Sequence, residues 1–416
     1  MSPAPFPPAS FPPDTPPDRA APRWIRAGSA EYRHAVQALF LAGFACYSLI
    51  YCVQPLLPAF AEAFGVSPAE SSLALSLTTG LLAVSIVLAG AFSQALGRRG
   101  LMFCSILLAA VCNIAAAATP SWLALLAART IEGFIIGGVP AVAIAYLSEE
   151  IEPANLGKAM GLYVAGTAFG GMTGRIVTSV LAEFTPWRVA LGILGALCLV
   201  AAAGFWKLLP PSRNFVPRPG FDLAFHLRTW KAHLANRALR RIYVYGFLIT
   251  AVFMTLFNYT VFRLSEAPYF LSRAAISMIF LAYGFGMVSS SVSGALADRF
   301  GRRPLLALGF LILLLGVLAT LPESLAVVFG GIVLATIGFF IAHAVASASI
   351  GPLAGEYKGH AASLYLLFYY MGSSIVGSVG GWFWQYGGWP AVAGLIGVLA
   401  LVGLILAARR AAAPRS

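Results

Sequence analysis

Charge is what this sequence has least of. Asp, Glu, Lys and Arg together make up 10% of its 416 residues, against about 25% in soluble globular domains, so the chain has too little polar surface to fold alone in water. The net charge of +12 does not point to nucleic acid, because basic residues serve that purpose only when clustered on a solvated face. Cysteine is also scarce. Cys46, Cys52, Cys104, Cys112 and Cys198 lie in apolar runs with no C-x-x-C spacing, which argues against a disulfide framework and a structural metal site. There is no G-x-x-x-x-G-K-[ST] stretch for a nucleotide and no H-E-x-x-H for a hydrolytic metal. A membrane-embedded enzyme is therefore a poor reading, and no cofactor is expected.

What the chain does have is apolar length. A bilayer core of about 30 Å takes about 20 apolar residues per helix, and twelve runs come close, the first from Val36 to Pro58 and the last from Ala391 to Ala408. The expected fold class is an all-α polytopic membrane protein, with twelve transmembrane helices in two six-helix bundles.

The halves repeat each other in parallel order. G-A-F-S-Q-A-L-G-R-R from Gly90 returns as G-A-L-A-D-R-F-G-R-R from Gly294, a displacement of 204 residues, and Gly157, Leu162, Tyr163 and Gly170 return as Gly359, Leu364, Tyr365 and Gly372, displaced by 202. The expected divisions are a proline-rich, disordered tail over 1–34, a first bundle over 35–208, a linker over 209–241, a second bundle over 242–410 and a short tail over 411–416. Deleting residues 1 to 22 is expected to leave activity intact. From Phe221 the linker reads as a short interfacial helix with basic groups toward anionic lipid.

Lys and Arg set the orientation, since positively charged loops stay cytoplasmic. With both termini inside, the cytoplasmic segments hold 22 of the 27, the outer loops hold Arg188, Arg263 and Arg273, and Arg129 and Arg175 lie within helices. The first helix is expected to direct insertion without a cleaved leader.

The two-by-six layout and the loop pattern G-x-x-x-D-R-x-G-R-R resemble the major facilitator superfamily of secondary transporters, over Val36 to Arg410. Y-C-V-Q-P-L-L-P from Tyr51, Y-L-S-E-E-I from Tyr146, G-G-M-T-G-R from Gly170, G-F-F-I-A-H from Gly338 and S-I-G-P from Ser349 are similar to the YnfM-type bacterial inner-membrane branch, near the drug and sugar efflux antiporters. The resemblance implies alternating access at the inner membrane, with a small organic solute and protons as partners, no nucleic acid, and a monomer in lipid. It also implies a cytoplasmic gate built from Gly90, Gly97, Arg98 and Arg99 and from Gly294, Asp298, Arg299, Gly301, Arg302 and Arg303. There Asp298 is expected to sit against a helix N-terminus of the opposite half. In the first half Gln94 replaces the Asp, so that latch is expected to be weak.

Ionisable groups inside spans are costly and mark function. Arg129 and Glu132 share a helix face, and the stretch L-L-A-A-R-T-I-E-G resembles the family's fourth-helix motif, whose Arg is tied to proton coupling or substrate contact. Counting at 1.5 Å per residue puts Arg129 about 12 Å, Glu132 about 16 Å and Arg175 about 9 Å from the outer side. The three are expected to form one cluster facing the central path, with Glu132 titrating. His343 is a second candidate proton carrier, since an imidazole ordinarily titrates near about 6.5. Tyr47, Tyr51, Gln54, Asn258, Tyr259, Tyr283, Tyr365, Tyr369 and Tyr370 are candidates to line the solute cavity. Gly157, Gly166, Gly170 and Gly174 are expected to make a smooth packing face on the fifth helix, although the family's antiporter signature has a proline where Gly171 stands.

The functional expectation is proton-coupled export of a small organic solute. Uptake by symport or facilitation, of a polar or anionic solute, is the alternative.

Overall fold

The computed structural model describes residues 23–215 and 223–409, and within them the side chains of residues 90–96 and 295 fall outside the description. The proline-rich tail over 1–22, the centre of the linker and the last residues therefore lie outside the described residues. So do the surroundings of Gly90.

Among the described residues, ten helices are long and apolar enough to cross a membrane. The spanning segments are α1 (Ala30–Tyr51), α2 (Pro68–Leu96), α3 (Arg98–Ala118), α4 (Trp122–Ile136, continued by Gly138–Glu150), α5 (Leu156–Phe184) and α6 (Trp187–Leu208). The second half supplies α7 (Arg237–Ser265), α8 (Ala282–Phe300), α9 (Arg302–Ala319), α10 (Leu325–Ala348) and a last stretch, Lys358–Ala408. Two adjustments bring ten to the expected twelve. Helix α5 is 29 residues long but less apolar, because Arg175 and several glycines dilute its run. The stretch Lys358–Ala408 is broken at Gly388, whose φ of 59° and ψ of −154° are not helical, so it holds α11 (358–387) and α12 (389–408).

Local chemistry explains where the helices begin. The Ser29 hydroxyl accepts from the Tyr32 amide at the start of α1. Ser67 and Glu70 form a capping box on α2. Asn236 accepts from the amides of Ala238 and Leu239 at the start of α7. The turns from α2 to α3 and from α8 to α9 each rest on one residue, Gly97 at φ 77° and Gly301 at φ 90°. Only glycine adopts that backbone without strain, which is why both copies of the repeat keep it.

Without a hydrophobic drive between helices in lipid, close packing relies on small residues. A Cβ on Gly166 would lie 2.5 Å from the Phe40 carbonyl oxygen, one on Gly170 2.2 Å from that of Phe44, and one on Gly174 2.6 Å from Ser48 Cα. These three fasten α5 to α1. The second half repeats the device, with Gly372 of α11 2.2 Å by the same measure from the Phe247 carbonyl of α7. Gly157 and Gly294 differ from expectation, since nothing lies within 4 Å of a Cβ at either. Gly157 is the second residue of α5, and Gly294 lies in the second half of α8.

A strap covers the face where α1 begins and α12 ends, called here the terminal face. Ile25 pairs with Ile151 just past α4. Glu150 accepts from the backbone amides of Arg213 and Asn214 at 2.9 and 3.0 Å, and Arg213 pairs with Glu31 at 2.5 Å. That carboxylate raises the Arg213 pKa above its usual value. The linker helix Leu223–Ala235 docks on the start of α11 instead. Its His226 is bonded to His360 at 2.8 Å, and its His233 donates from Nε2 to the Tyr357 carbonyl at 3.2 Å.

Candidate functional site

The site is built where α1 ends. After Tyr51 the chain tightens into a turn, Gln54–Leu56, fixed by Pro55, and the Gln54 side chain is carried between the two bundles. Helix α5 reaches the same place because its glycines let it lie directly on α1, bringing Arg175 to Gln54. Arg175 is fully buried. Its Nε donates to Gln54 Oε1 at 2.5 Å and one terminal nitrogen donates to the Gly171 carbonyl at 2.6 Å. The guanidinium lies 4.1 Å from the Tyr51 ring centroid, 4.9 Å from that of Tyr283 and 5.3 Å from that of Phe280. Such cation–π contacts disperse the charge without cancelling it. Among the described residues no carboxylate pairs with it.

Gln54 turns its amide toward the other bundle, donating from Nε2 to Asn258 Oδ1 on α7 at 2.6 Å. Three buried donors close to this line have no partner among the described residues: Arg175 Nη2, Asn258 Nδ2 and the Tyr283 hydroxyl. Buried donors left unmatched are expensive, at about 1–3 kcal/mol each. Together they describe a place prepared for an acceptor.

A second row runs deeper toward the terminal face. Tyr47 and Tyr370 share a hydrogen bond of 2.9 Å across the bundles. Tyr369 stands edge-on to Tyr370 at 5.1 Å and 4.9 Å from the His343 ring, and His343 Nδ1 bonds the Tyr365 hydroxyl at 2.9 Å. Tyr259 instead donates to the Gly377 carbonyl at 2.6 Å, inside the second bundle.

The expected single cluster of Arg129, Glu132 and Arg175 is not what the structure contains. Arg129 and Glu132 form a separate ion pair at 2.7 Å, completely buried inside the first bundle. Arg129 also donates to the carbonyls of Ala74, Leu49 and Ile50 at 3.2, 3.1 and 2.9 Å. Depth along a helix was legible, but the side of the helix facing the partner bundle was not. Glu132 uses one oxygen on Arg129, and its Oε1 is buried with no donor.

The gate residues sit on the terminal face. Arg98 pairs with Glu149 at 2.6 Å, Arg99 donates to the Trp206 carbonyl and lies 4.3 Å over its ring, and Arg303 donates to the Ala407 carbonyl at 3.0 Å. These contacts stay within one bundle each. Asp298, Arg299 and Arg302 are exposed, and Asp298 has no hydrogen-bond or ion-pair partner among the described residues. Hydrogen bonds that join the bundles lie elsewhere: Ser374 to the Ser76 carbonyl, Ser179 to the Arg273 carbonyl, and Arg273 to the Ala182 carbonyl. The described bonds between the bundles thus lie in the middle and on the face away from the termini, and none of them involves Asp298.

Sequence reasoning missed several anchors. Arg263, expected in an outer loop, lies inside α7, buried, with its guanidinium on the carbonyls of Thr320 and Pro322 and 4.9 Å over Trp389. Glu149 and Glu150 were not singled out, nor were His226, Trp230 and His360. Nothing in their local sequence sets them apart, because their partners come from distant segments.

A chain of two repeated helical bundles has counterparts among known proteins. The chain matches the Major Facilitator Superfamily over residues 39–272 and 267–416. It belongs to that superfamily. It is 43% identical over 389 residues to YybF, an uncharacterized MFS-type transporter of Bacillus subtilis, covering 92% of this chain and 95% of that one. It is 40% identical over 387 residues to YnfM, an inner membrane transport protein of Escherichia coli, covering 93% of each. Among solved structures, the human organic anion transporter MFSD10 aligns with a TM-score of 0.70 at 20% identity, over 90% of this chain and 99% of that one. The superfamily fold of two bundles, membrane integration and transport of a small solute follow from this membership, and its relatives are transporters, not enzymes.

Proposed function

We propose that this transporter exports a small organic solute bearing an anionic or strongly accepting group, in exchange for protons, by rocking its two bundles about the Arg175, Gln54 and Asn258 seam. The observation that carries the reading is Arg175. It is a buried cation at the bundle interface with no paired carboxylate and an unused terminal nitrogen, next to two further unmatched donors. An incoming carboxylate or carbonyl satisfies those donors, and a lipophilic cation does not. The human relative in fold carries organic anions by its name, which agrees with this choice.

Glu132 is assigned the proton. Its buried Oε1 lacks a donor, so the protonated acid and the carboxylate paired with Arg129 are two states of the same pocket. His343 is placed as a secondary relay through Tyr365. The terminal face is read as cytoplasmic from the Lys and Arg bias, with each bundle acting as one domain on either side of the linker. The Asp298 latch forms in the opposite state. Leu223, Leu227 and Leu234 leave an apolar edge on the linker helix exposed, beside Arg228 and Lys231, suited to the lipid interface.

The test is purified protein in liposomes with an imposed pH gradient and a panel of organic acids, neutral polar compounds and cations. Solute-dependent collapse of the gradient by acids, absent in Arg175→Gln, supports the reading. Collapse driven by cations alone, or solute movement that leaves the gradient untouched, defeats it. Uptake by symport differs only in the direction of the proton relative to the solute, which the same vesicles report.

A further inference from the structure

Away from the Arg175 seam, on the terminal face, a cavity of about 360 Å³ lies between three parts of the molecule. The first bundle supplies Arg98 and an apolar wall of Ile86, Pro140 and Ile144, the linker helix supplies His226 and Trp230, and α11 supplies His360 and Leu366. The lid is flat. Trp230 and His226 stack at 5.7 Å with 30° between planes, and His226 and His360 at 5.1 Å with 26°. At that edge the Trp230 Nε1 donor is buried and has no acceptor among the described residues. Among the described residues lining the cavity none is a carboxylate and two are imidazoles, and its one arginine, Arg98, is already paired with Glu149.

We propose that this cavity is a second binding site, for small flat organic acids of one or two rings. The volume is at the small end of ligand pockets, which run from about 300 to 1,000 Å³. The apolar wall faces the ring body, the stacked aromatic lid covers it, and the carboxylate accepts from Trp230 Nε1 beside the imidazole pair. A phosphorylated or sugar-like ligand fits poorly, because most of the wall cannot hydrogen-bond. An occupant touches both bundles and the linker helix at once. The proposal is independent of the solute assigned to Arg175, and a ligand here does not need to be transported.

The test uses full-length protein in lipid nanodiscs with 2-naphthoate as the probe, read by equilibrium dialysis against empty nanodiscs. Wild type is expected to bind with a dissociation constant below about 1 mM, and 2-naphthylmethanol, which lacks the charge, at least about tenfold more weakly. Trp230→Phe keeps the ring and removes the donor, and is expected to weaken naphthoate about tenfold. Arg175→Gln removes the acid site of the central seam and is expected to retain binding at this cavity; in that background Ala362→Trp fills the cavity and is expected to abolish the remaining binding. Retained affinity in the Arg175→Gln, Ala362→Trp double variant overturns the proposal, as does loss of all binding in Arg175→Gln alone, which places the probe in the central seam, or binding no greater than to empty nanodiscs.

Discussion

Gln54 reaches Asn258 across the bundle interface at 2.6 Å, while its other amide atom is held by Arg175 at 2.5 Å. One side chain thus ties the unpaired cation of the first bundle to the second bundle. Replacing it with Leu removes both bonds and leaves Arg175 Nε and Asn258 Oδ1 unmet. At about 1–3 kcal/mol for buried partners left unsatisfied, Gln54→Leu is expected to shift the conformational balance roughly five- to a hundredfold away from the state fastened far from the termini. Cysteine accessibility at exposed Phe270 and its neighbours checks this, and an unchanged labelling rate counts against it.

The Arg129–Glu132 pair separates structural from coupling roles. Arg129→Ala strands a buried carboxylate and is expected to cost about 3–5 kcal/mol, seen as a large drop in thermal stability and yield. Glu132→Gln preserves the shape and a hydrogen bond, so it is expected to fold at wild-type levels while moving solute without protons. Equal instability of the two variants, or intact coupling in Glu132→Gln, removes Glu132 from the mechanism.

Glycines on α5 are not equivalent. A Cβ at Gly170 meets the Phe44 carbonyl at 2.2 Å, and at Gly157 it meets nothing. Gly170→Ala is expected to destabilise by about 1–3 kcal/mol through overpacking, whereas Gly157→Ala is expected to be neutral or slightly stabilising through helix propensity. Melting curves of the two variants in the same detergent decide it.

Much of this was legible in the sequence, and the remainder was hidden for a physical reason. The repeat, the spans and the turn glycines Gly97 and Gly301 are local patterns, and each is found where the pattern requires it. The sequence offers Gln54 and Asn258 as cavity candidates and groups Arg175 with Arg129 and Glu132. The joining of Gln54, Asn258 and Arg175 at one point depends on the rotation of α1, α5 and α7 about their own axes, which no single span encodes. The same rotation sends Arg129 inward and Arg175 across. His226 and His360 escaped notice because they lie 134 residues apart and meet only when the linker helix docks.

The linker contact is expected to respond to pH. Burial lowers the His233 pKa below its ordinary 6.5, partly offset by its bond to the Tyr357 carbonyl. The docked helix therefore holds fewer protons than the undocked one, and docking weakens as pH falls from above 6.5 toward the lowered value. Amide exchange in residues 223–235 is expected to speed up over that window. His233→Asn is expected to flatten the share due to this group, and an equally steep response in the variant assigns it elsewhere.

The most direct test of the account is a pair of spin-label distances measured in lipid while a transported acid is added. One pair, at Phe184 and Phe270, marks the face away from the termini; the other, at Lys158 and Phe300, marks the terminal ends of α5 and α8. Rocking about the Arg175 seam predicts that the first distance lengthens as the second shortens, in the same fraction of molecules. Two distances that stay fixed, or that change in the same sense, contradict it.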